Sequence, residues 1–475
     1  MIEATGLFMT FSATYRFAVA LTLGSLMAGL VAGADIGSKD FKAGDLFNIT
    51  KVWTVDFVFT PEQWKGIAPK YAGFNGGFSA GASRLQGPEG GRNGLSAAGG
   101  IEFEWTHGNF AIDGQKFSDI AVRYKGNGTF RQGQNSGKIS LKIDLNKYVK
   151  GQKLAKLDKL NFANNITDAG WMNEELAYRL FRDAGVPAPR TSYARVYVTV
   201  TGDAAREYWG LYSIVEDVDD SFALDRFGTK SGLLLKPVTN NLFHDLGDDW
   251  AKYNQTYDPK EEMTAAQTKR VIDFCKFVTN ASDEQFAAEL GDYVDLDEFA
   301  RFMAVTVWLT DLDSILDNGQ NFYVYLNPET QKFSFIAWDQ DHSFGQFGRG
   351  GSNSARRNFT IFHPWSGNNP FLERVFGVPA FQALYMAKLA EFRKTIFQPE
   401  RIVDQVNQIA PVIRPAIAQE SDAKAKWFDT VVSDDAADSY NETVKGFVKA
   451  RAQSVDDQLD GKSQGNTLGG GFGRF

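Results

Sequence analysis

The segment running from Asn321 to Gly345, NFYVYLNPETQKFSFIAWDQDHSFG, constrains the fold more than any other. Two runs, FYVYL at 322–326 and FSFIAW at 333–338, are apolar on both faces, and NPETQ between them has turn composition. A strand pair with no wettable face must be covered on both sides, so this hairpin belongs inside a larger core. Yet Asp311, Asp313, Asp317, Asn318, Asn321, Asp339 and Asp341 crowd around it. Pairing Leu326 with Lys332 sets Asn321 opposite Ala337, and the pleat then points Asn321, Ala337 and Asp339 the same way at one end. A buried carboxylate is costly without a cation or hydrogen bonds. The polar end is therefore expected to open on a cleft, with Asn321 and Asp339 of the ligand type that suits Mg²⁺ beside substrate phosphates.

The chain around the hairpin has 475 residues, 43% hydrophobic and 14% aromatic, which is a folded composition with room for two or three lobes. A formal charge of -8 and no cluster of Lys and Arg disfavour a nucleic-acid partner. Residues 1–34 place Arg16 before an apolar run and Ala32-Gly33-Ala34 after it, the order of a secretory signal peptide. If uncleaved, that segment is the chain's membrane contact. Cys275 is the only cysteine, so no disulfides hold the fold, and its apolar-periodic helical surroundings mark it as packing. The histidines are scattered, which disfavours a zinc site, so any metal is expected to be a hard cation held by oxygen.

From 35 to 238 the sequence alternates strands with one strong helix, interrupted by a glycine-rich insertion at 73–100. That helix, with Thr167 or Asp168 as its cap, carries Met172, Leu176 and Leu180 at four-residue steps and stops at Gly185 and Pro187. Residues 239–460 are mainly helical around the hairpin region 318–345, and 461–475 reads as a disordered tail. The class is thus α+β, strand-rich first and helix-rich second.

Phosphoryl transfer by protein kinases uses a glycine-rich loop over the phosphates, a Lys on a following strand, a Glu on a helix, a catalytic Asp, an Asn and a metal-binding Asp, in that order. Here GNGTFRQGQNSG at 126–137, with Gly126 and Gly128, precedes KISLKIDL, whose Lys138 and Lys142 are expected on one strand face. The helix bearing Glu174 and Glu175 follows, then Asp313, Asn321 and Asp339. Asp311, Asp313 and Asp317 compete for the role of base, and each alone also reads as a helix or loop cap.

The segments VRYKGNGTF, KISLKIDL, WMNEELAYRLFRDAGVPAPR, YWGLYSIVEDVD, GLLLKP and NGQNFYVYLNPETQKFSFIAWDQDHSFG together resemble the spore-coat protein H (CotH) kinase-like family, atypical secreted protein kinases, over roughly residues 100–350. The resemblance implies a two-lobed kinase-like fold binding ATP with Mg²⁺, Mn²⁺ being the alternative, and phosphorylating Ser or Thr of secreted or cell-envelope proteins. By position it implies Asp313 as catalytic aspartate, Asn321 and Asp339 as metal ligands with Asp341 as a further one, Lys142 or else Lys138 at the ATP phosphates, Glu174 as the helix glutamate, and Glu216 near the adenine or ribose. Ala337 and Leu312 depart from the family's usual Pro and aromatic, but neither substitution removes a reacting group. Two other classes are weighed: a catalytically silent scaffold of a coat or envelope assembly, and a glycosidase pairing Asp313 with Asp339 or Asp341, whose carboxyls would lie ~5–9.5 Å apart.

Overall fold

A computed structural model of the chain describes residues 42–71, 96, 100–203, 205–347, 351–434 and 442–468. The signal segment and nearly all of the glycine-rich insertion lie outside them. Among the described residues no helix is long and apolar enough to cross a membrane.

The first half closes into a seven-stranded barrel. In spatial order the strands are Val52–Phe59, Thr106–Ile112, Gln115–Tyr124, Leu141–Asp144, Lys159–Ala163, Glu207–Glu216 and Thr191–Val200, which returns to pair in parallel with Val52–Phe59. Alternation sets its interior: Trp53, Val55, Phe57 and Phe59 are buried, and the residues between them are only half-buried. They form one apolar core with Phe110, Ile143, Phe162 and Ile214. The stretch 126–137, expected as a glycine-rich loop, contains instead the helix Gly128–Ser136, closed by Gly137 in the left-handed conformation. Phe130 is the anchor, buried against Phe103 and Tyr124.

The second apolar core belongs to the helices and the hairpin. The helix Leu296–Leu309 is buried almost all round, as an apolar helix must be. It packs on the helix Pro379–Phe392 and on the hairpin strand Phe333–Ala337. Thr310, at φ 49°, breaks it, and the buried Arg451 guanidinium donates to its terminal carbonyls at Val307 (2.9 Å) and Trp308 (3.2 Å). Val307 O also takes the Thr310 N–H at 3.1 Å, and the guanidinium adds a donor at a helix end whose last carbonyls run out of intrahelical partners. The chain is thereby fixed in direction as it enters Asp311–Asp313.

The helix after the barrel's fifth strand is Asn173–Asp183. Asp168 serves its amino end from four residues before Met172, accepting from the N–H groups of Met172 (3.2 Å) and Glu174 (3.3 Å). Thr167, the alternative cap, donates its hydroxyl to Asp341 instead. Gly185, at φ 74°, closes the helix, and the Val186 N–H reaches back to Phe181 O at 2.9 Å.

Three expectations are corrected. The hairpin pairs Leu326 with Phe333, not Lys332, so Phe322 rather than Asn321 faces Ala337. Gln331 turns left-handed at φ 56° and lets Lys332 accept from the Asn327 N–H, which lengthens the turn by one residue. Leu233–Leu235, assigned to the strand-rich half, pairs with Phe322–Leu326 as the third strand of the hairpin's sheet. All three leucines are buried, and only a site covered on both faces accepts such a run. Residues 461–468, expected to be disordered, pack back on the fold: Asn466 exchanges backbone hydrogen bonds with Asn358 and Thr360, and Leu468 is buried.

Candidate active site

A cleft of about 570 Å³ is bordered by the strands Gln115–Tyr124, Leu141–Asp144 and Lys159–Ala163 on one side and by the polar end of the hairpin on the other. That is the size of a cofactor or substrate pocket. Gly126, Gly128, Lys142, Glu174, Asp313, Asn321, Asp339 and Asp341 all line it. Residues distant in sequence are therefore gathered at one cleft.

Of the three competing aspartates only Asp313 reaches the cleft. Asp311 is fully buried, accepting from the Asp313 N–H (3.1 Å) and Gln340 Nε2 (3.0 Å); Asp317 accepts from the Ser366 hydroxyl. Asp313 accepts from Gln320 Nε2 at 2.7 Å and Asn321 Nδ2 at 3.1 Å, and its backbone carbonyl takes the same Asn321 amide at 2.8 Å. Because Nδ2 is committed to Asp313, Asn321 is left to offer Oδ1. Burial raises the Asp313 carboxyl, opposed by His342 and the amides of Asn318 and Gln320.

Asn321 and Asp339 do converge, though not through the pleat. They flank the position where the Trp338 N–H donates to Asn321 O at 3.2 Å, and each turns left-handed, at φ 62° and φ 56°. Positive φ is uncommon in residues with a Cβ, and it is here that both side chains leave the strand faces for the cleft. No hydrogen bond from a described residue reaches the Asp339 carboxylate. Its N–H donates to the Tyr178 hydroxyl (2.9 Å), which donates to Glu174 Oε1 (2.9 Å). Burial, Asp339 and Asp341 push the Glu174 carboxyl up to about 8, and burial with Asp339 pushes Asp341 to about 6 against the pull of His342. Burial alone would lower His342, yet Asp341, Asp313, Asp311 and Asp339 around it hold it above its ordinary value.

This donor set fits a magnesium ion. Asp339 offers an uncommitted carboxylate and Asn321 an amide oxygen, and Mg²⁺ sites that share substrate phosphates need only one or two carboxylates. Among the described residues no group of three His, Cys, Asp or Glu side chains is placed to hold a metal. Asp341, already engaged by Thr167, is less available than Asp339.

Three expected phosphate or nucleotide contacts are placed otherwise. Lys142 points into the cleft, but its ammonium lies 2.8 and 2.9 Å from the two oxygens of Asp217, not on Glu174. Asn161 Nδ2 adds a third bond to Asp217 at 2.8 Å. Burial would raise the Asp217 carboxyl, but Lys142 and Asn161 hold it well below the usual range. Lys138 does not line the cleft. It follows the left-handed Gly137 rather than lying on the strand, and pairs at 2.8 Å with Glu420 at the end of the helix Pro399–Glu420. Glu216 is fully buried under Arg190 and Arg226, accepting from Arg190 Nε and Arg226 Nη2 at 3.0 Å each, so its neighbour Asp217 faces the cleft in its place.

Sequence reasoning missed Asp217, Asn161, Lys125 and Lys236, all of which line the cleft. Asp217 lies within YWGLYSIVEDVD, beside Glu216, and the two lysines lie within VRYKGNGTF and GLLLKP, where a Lys closing an apolar strand is the available signal. Cys275 is buried as expected, its thiol pushed up to about 12 by burial.

The arrangement has the elements of a kinase-like phosphotransferase. The family model described as CotH kinase protein matches residues 122–455, and the chain belongs to that family. Among curated proteins, it is similar to the inner spore coat protein H of Bacillus subtilis (strain 168), 22% identical over 297 residues that make up 62% of this chain and 76% of that protein. A search of solved structures matches a chain of the Shewanella oneidensis MR-1 toxin–antitoxin complex of HipA, HipB and its operator DNA at 12% identity and a TM-score of 0.27, covering 64% of this chain and 61% of that one. The chain thus spans less than two thirds of that HipA–HipB complex chain.

Proposed function

We propose that this chain is an ATP- and Mg²⁺-dependent protein kinase with a two-lobed architecture, the barrel forming one lobe and the helices with the hairpin sheet the other, acting on Ser or Thr of secreted or cell-envelope proteins. The observation that carries this reading is the joining of Asp313, Asn321 and Asp339 at one cleft, with the Asn321 amide tied to Asp313. A single group there can orient an acceptor while its neighbours hold a cation.

In this reading Asp313 accepts the hydrogen bond of the acceptor hydroxyl and aims its oxygen at the transferring phosphoryl group. Gln320 and Asn321 fix the Asp313 carboxylate in place, so that little reorganisation is required during transfer. Asn321 Oδ1 and the Asp339 carboxylate would hold Mg²⁺, which when bound neutralises charge on the transferred group. Gly126 and Gly128 let the backbone approach the phosphates from the barrel side. Glu174 acts through Tyr178, whose hydroxyl holds the Asp339 N–H and with it the left-handed backbone that presents the carboxylate.

An exported location is supported by the order of residues 1–34 and by the spore-coat relative. Incubation of the purified chain with radioactive ATP and Mg²⁺, followed by mapping of labelled residues, tests the proposal. Label on Ser or Thr that disappears in Asp313→Ala supports it. No label, together with no thermal shift from ATP and Mg²⁺, overturns it in favour of a silent scaffold.

A further inference from the structure

Lys142 is expected to carry the nucleotide phosphates, yet its ammonium is already neutralised by Asp217. Two other lysines of the cleft are differently placed. Lys125 ends the barrel strand Gln115–Tyr124, and its N–H is fixed to Ser140 O at 3.0 Å. Lys236 ends the hairpin-sheet strand Leu233–Leu235, its N–H fixed to Tyr257 O at 2.8 Å, with Pro237 next in the chain. They approach from opposite sides of the cleft and meet over the same indole: each ammonium lies 5.2 Å from the Trp338 ring, and Lys236 also lies 5.3 Å from Tyr323. Among the described residues neither forms an ion pair with a carboxylate.

Such an arrangement is unfavourable without an anion. Two ammoniums near one aromatic ring gain cation–π attraction but repel each other, and a cleft wall removes part of their hydration. Burial, then Lys260, lower Lys236 well below its ordinary value, with Lys125 adding to the effect and the Asp339 carboxylate opposing it without overcoming it. A diffuse, multiply charged ligand spanning both would relieve the repulsion, and its charge-assisted bonds would be strengthened by the sheltered site.

On the kinase reading above, we infer that Lys125 and Lys236, bracketing Trp338, form the polyphosphate-binding pair of the nucleotide site, and that Lys142 is committed to Asp217 and helps hold the barrel wall. The pair takes the triphosphate of a nucleoside triphosphate, one lysine from each side of the cleft, so it recognises the number of phosphates rather than the base.

Calorimetric titration of the full chain with a non-hydrolysable ATP analogue, ADP and AMP, each with Mg²⁺, tests the inference without reference to turnover. Lys125→Met and Lys236→Met keep the apolar stems over Trp338. Each is expected to weaken the triphosphate about ten- to hundredfold, ADP less, and AMP least, from the loss of one charge-assisted contact. Lys236→Arg is expected to retain most of the affinity, which a purely structural role for the stem would not require beyond what Met supplies. Unchanged triphosphate affinity in both Met variants, or an equal loss for all three nucleotides, overturns the lysine pair while leaving the kinase reading standing. Failure of the unaltered chain to bind the triphosphate at all overturns that reading, and the pair with it.

Discussion

The commitment of Lys142 to Asp217 can be measured as a coupling between the two. Asp217 is 5% and Lys142 21% exposed at the side chain, with both carboxylate oxygens within 2.9 Å of the ammonium. Asp217→Asn leaves Lys142 facing the like charges of Arg123 and Lys260 without the ion pair it makes among the described residues. Removing one member of a buried pair costs ~3–5 kcal/mol, and the partial exposure of Lys142 puts this case at the low end, about 3 kcal/mol. Lys142→Met is expected to cost less, about 2 kcal/mol, because Asn161 and Lys159 still stabilise the Asp217 carboxylate. The double variant should cost little more than Asp217→Asn alone, giving a coupling of about 2 kcal/mol. Urea unfolding followed by tryptophan fluorescence for all four proteins provides the cycle. Additive losses, or two near-neutral single variants, would show that Lys142 is not held by Asp217 and would return it to the phosphates. The pH dependence has a definite sign. The folded-state Asp217 carboxyl is depressed, so its contribution is present above the ordinary aspartate range near pH ~4 and is lost as pH falls below it.

Asp339→Ala should abolish Mg²⁺-dependent nucleotide binding while leaving the melting temperature of the free protein nearly unchanged; calorimetry showing normal binding would refute the metal assignment. Glu298 is buried with one oxygen accepting from the Phe335 N–H at 3.0 Å, and burial raises its carboxyl far above the ordinary value. Because the folded form holds that proton, stability falls as pH rises above ~4.3, so Glu298→Gln should stabilise the protein at pH 8 and flatten the profile; a loss of stability at pH 8 would count against a neutral Glu298. Gly319 sits at φ 62°, where a Cβ would collide with the Thr239 carbonyl oxygen, so Gly319→Ala should cost more than the ~1–2 kcal/mol of the left-handed backbone alone. Thermal melting within a degree of the unaltered protein would show that the Thr239–Gly319 contact is not tight.

The sequence predicted the kind of fold and the group of residues at the cleft better than the way they meet. Strand alternation in Val52–Phe59 and the all-apolar hairpin were legible because each pattern spans several residues and one burial rule reads it. Asp313, Asn321 and Asp339 were legible for the opposite reason: polar groups beside an apolar hairpin violate that rule. The register was missed by one residue, since a single left-handed residue, Gln331, decides whether Lys332 belongs to the turn or the strand. Lys142 and Asp217 lie 75 residues apart, and nothing local in either segment records their pairing. Lys138 was misplaced because GTFRQGQNS, rich in glycine and polar residues, has weak helix propensity; burial of Phe130 overrides it and displaces Lys138 from the strand.

The parallel seam that closes the barrel also affects the order of events during synthesis. Val52–Phe59 finds one antiparallel neighbour in Thr106–Ile112, but its other edge must wait for Thr191–Val200. At ~5–20 residues per second that partner is made roughly 140 residues, or about 7–28 seconds, after Val52. Until then a strand carrying Trp53, Phe57 and Phe59 exposes unpaired backbone, the exposure that makes nascent chains stick to one another or to chaperones. Truncations that end before residue 191 should therefore aggregate, whereas a circular permutant opened elsewhere that brings these two strands close in sequence should fold faster than the natural order.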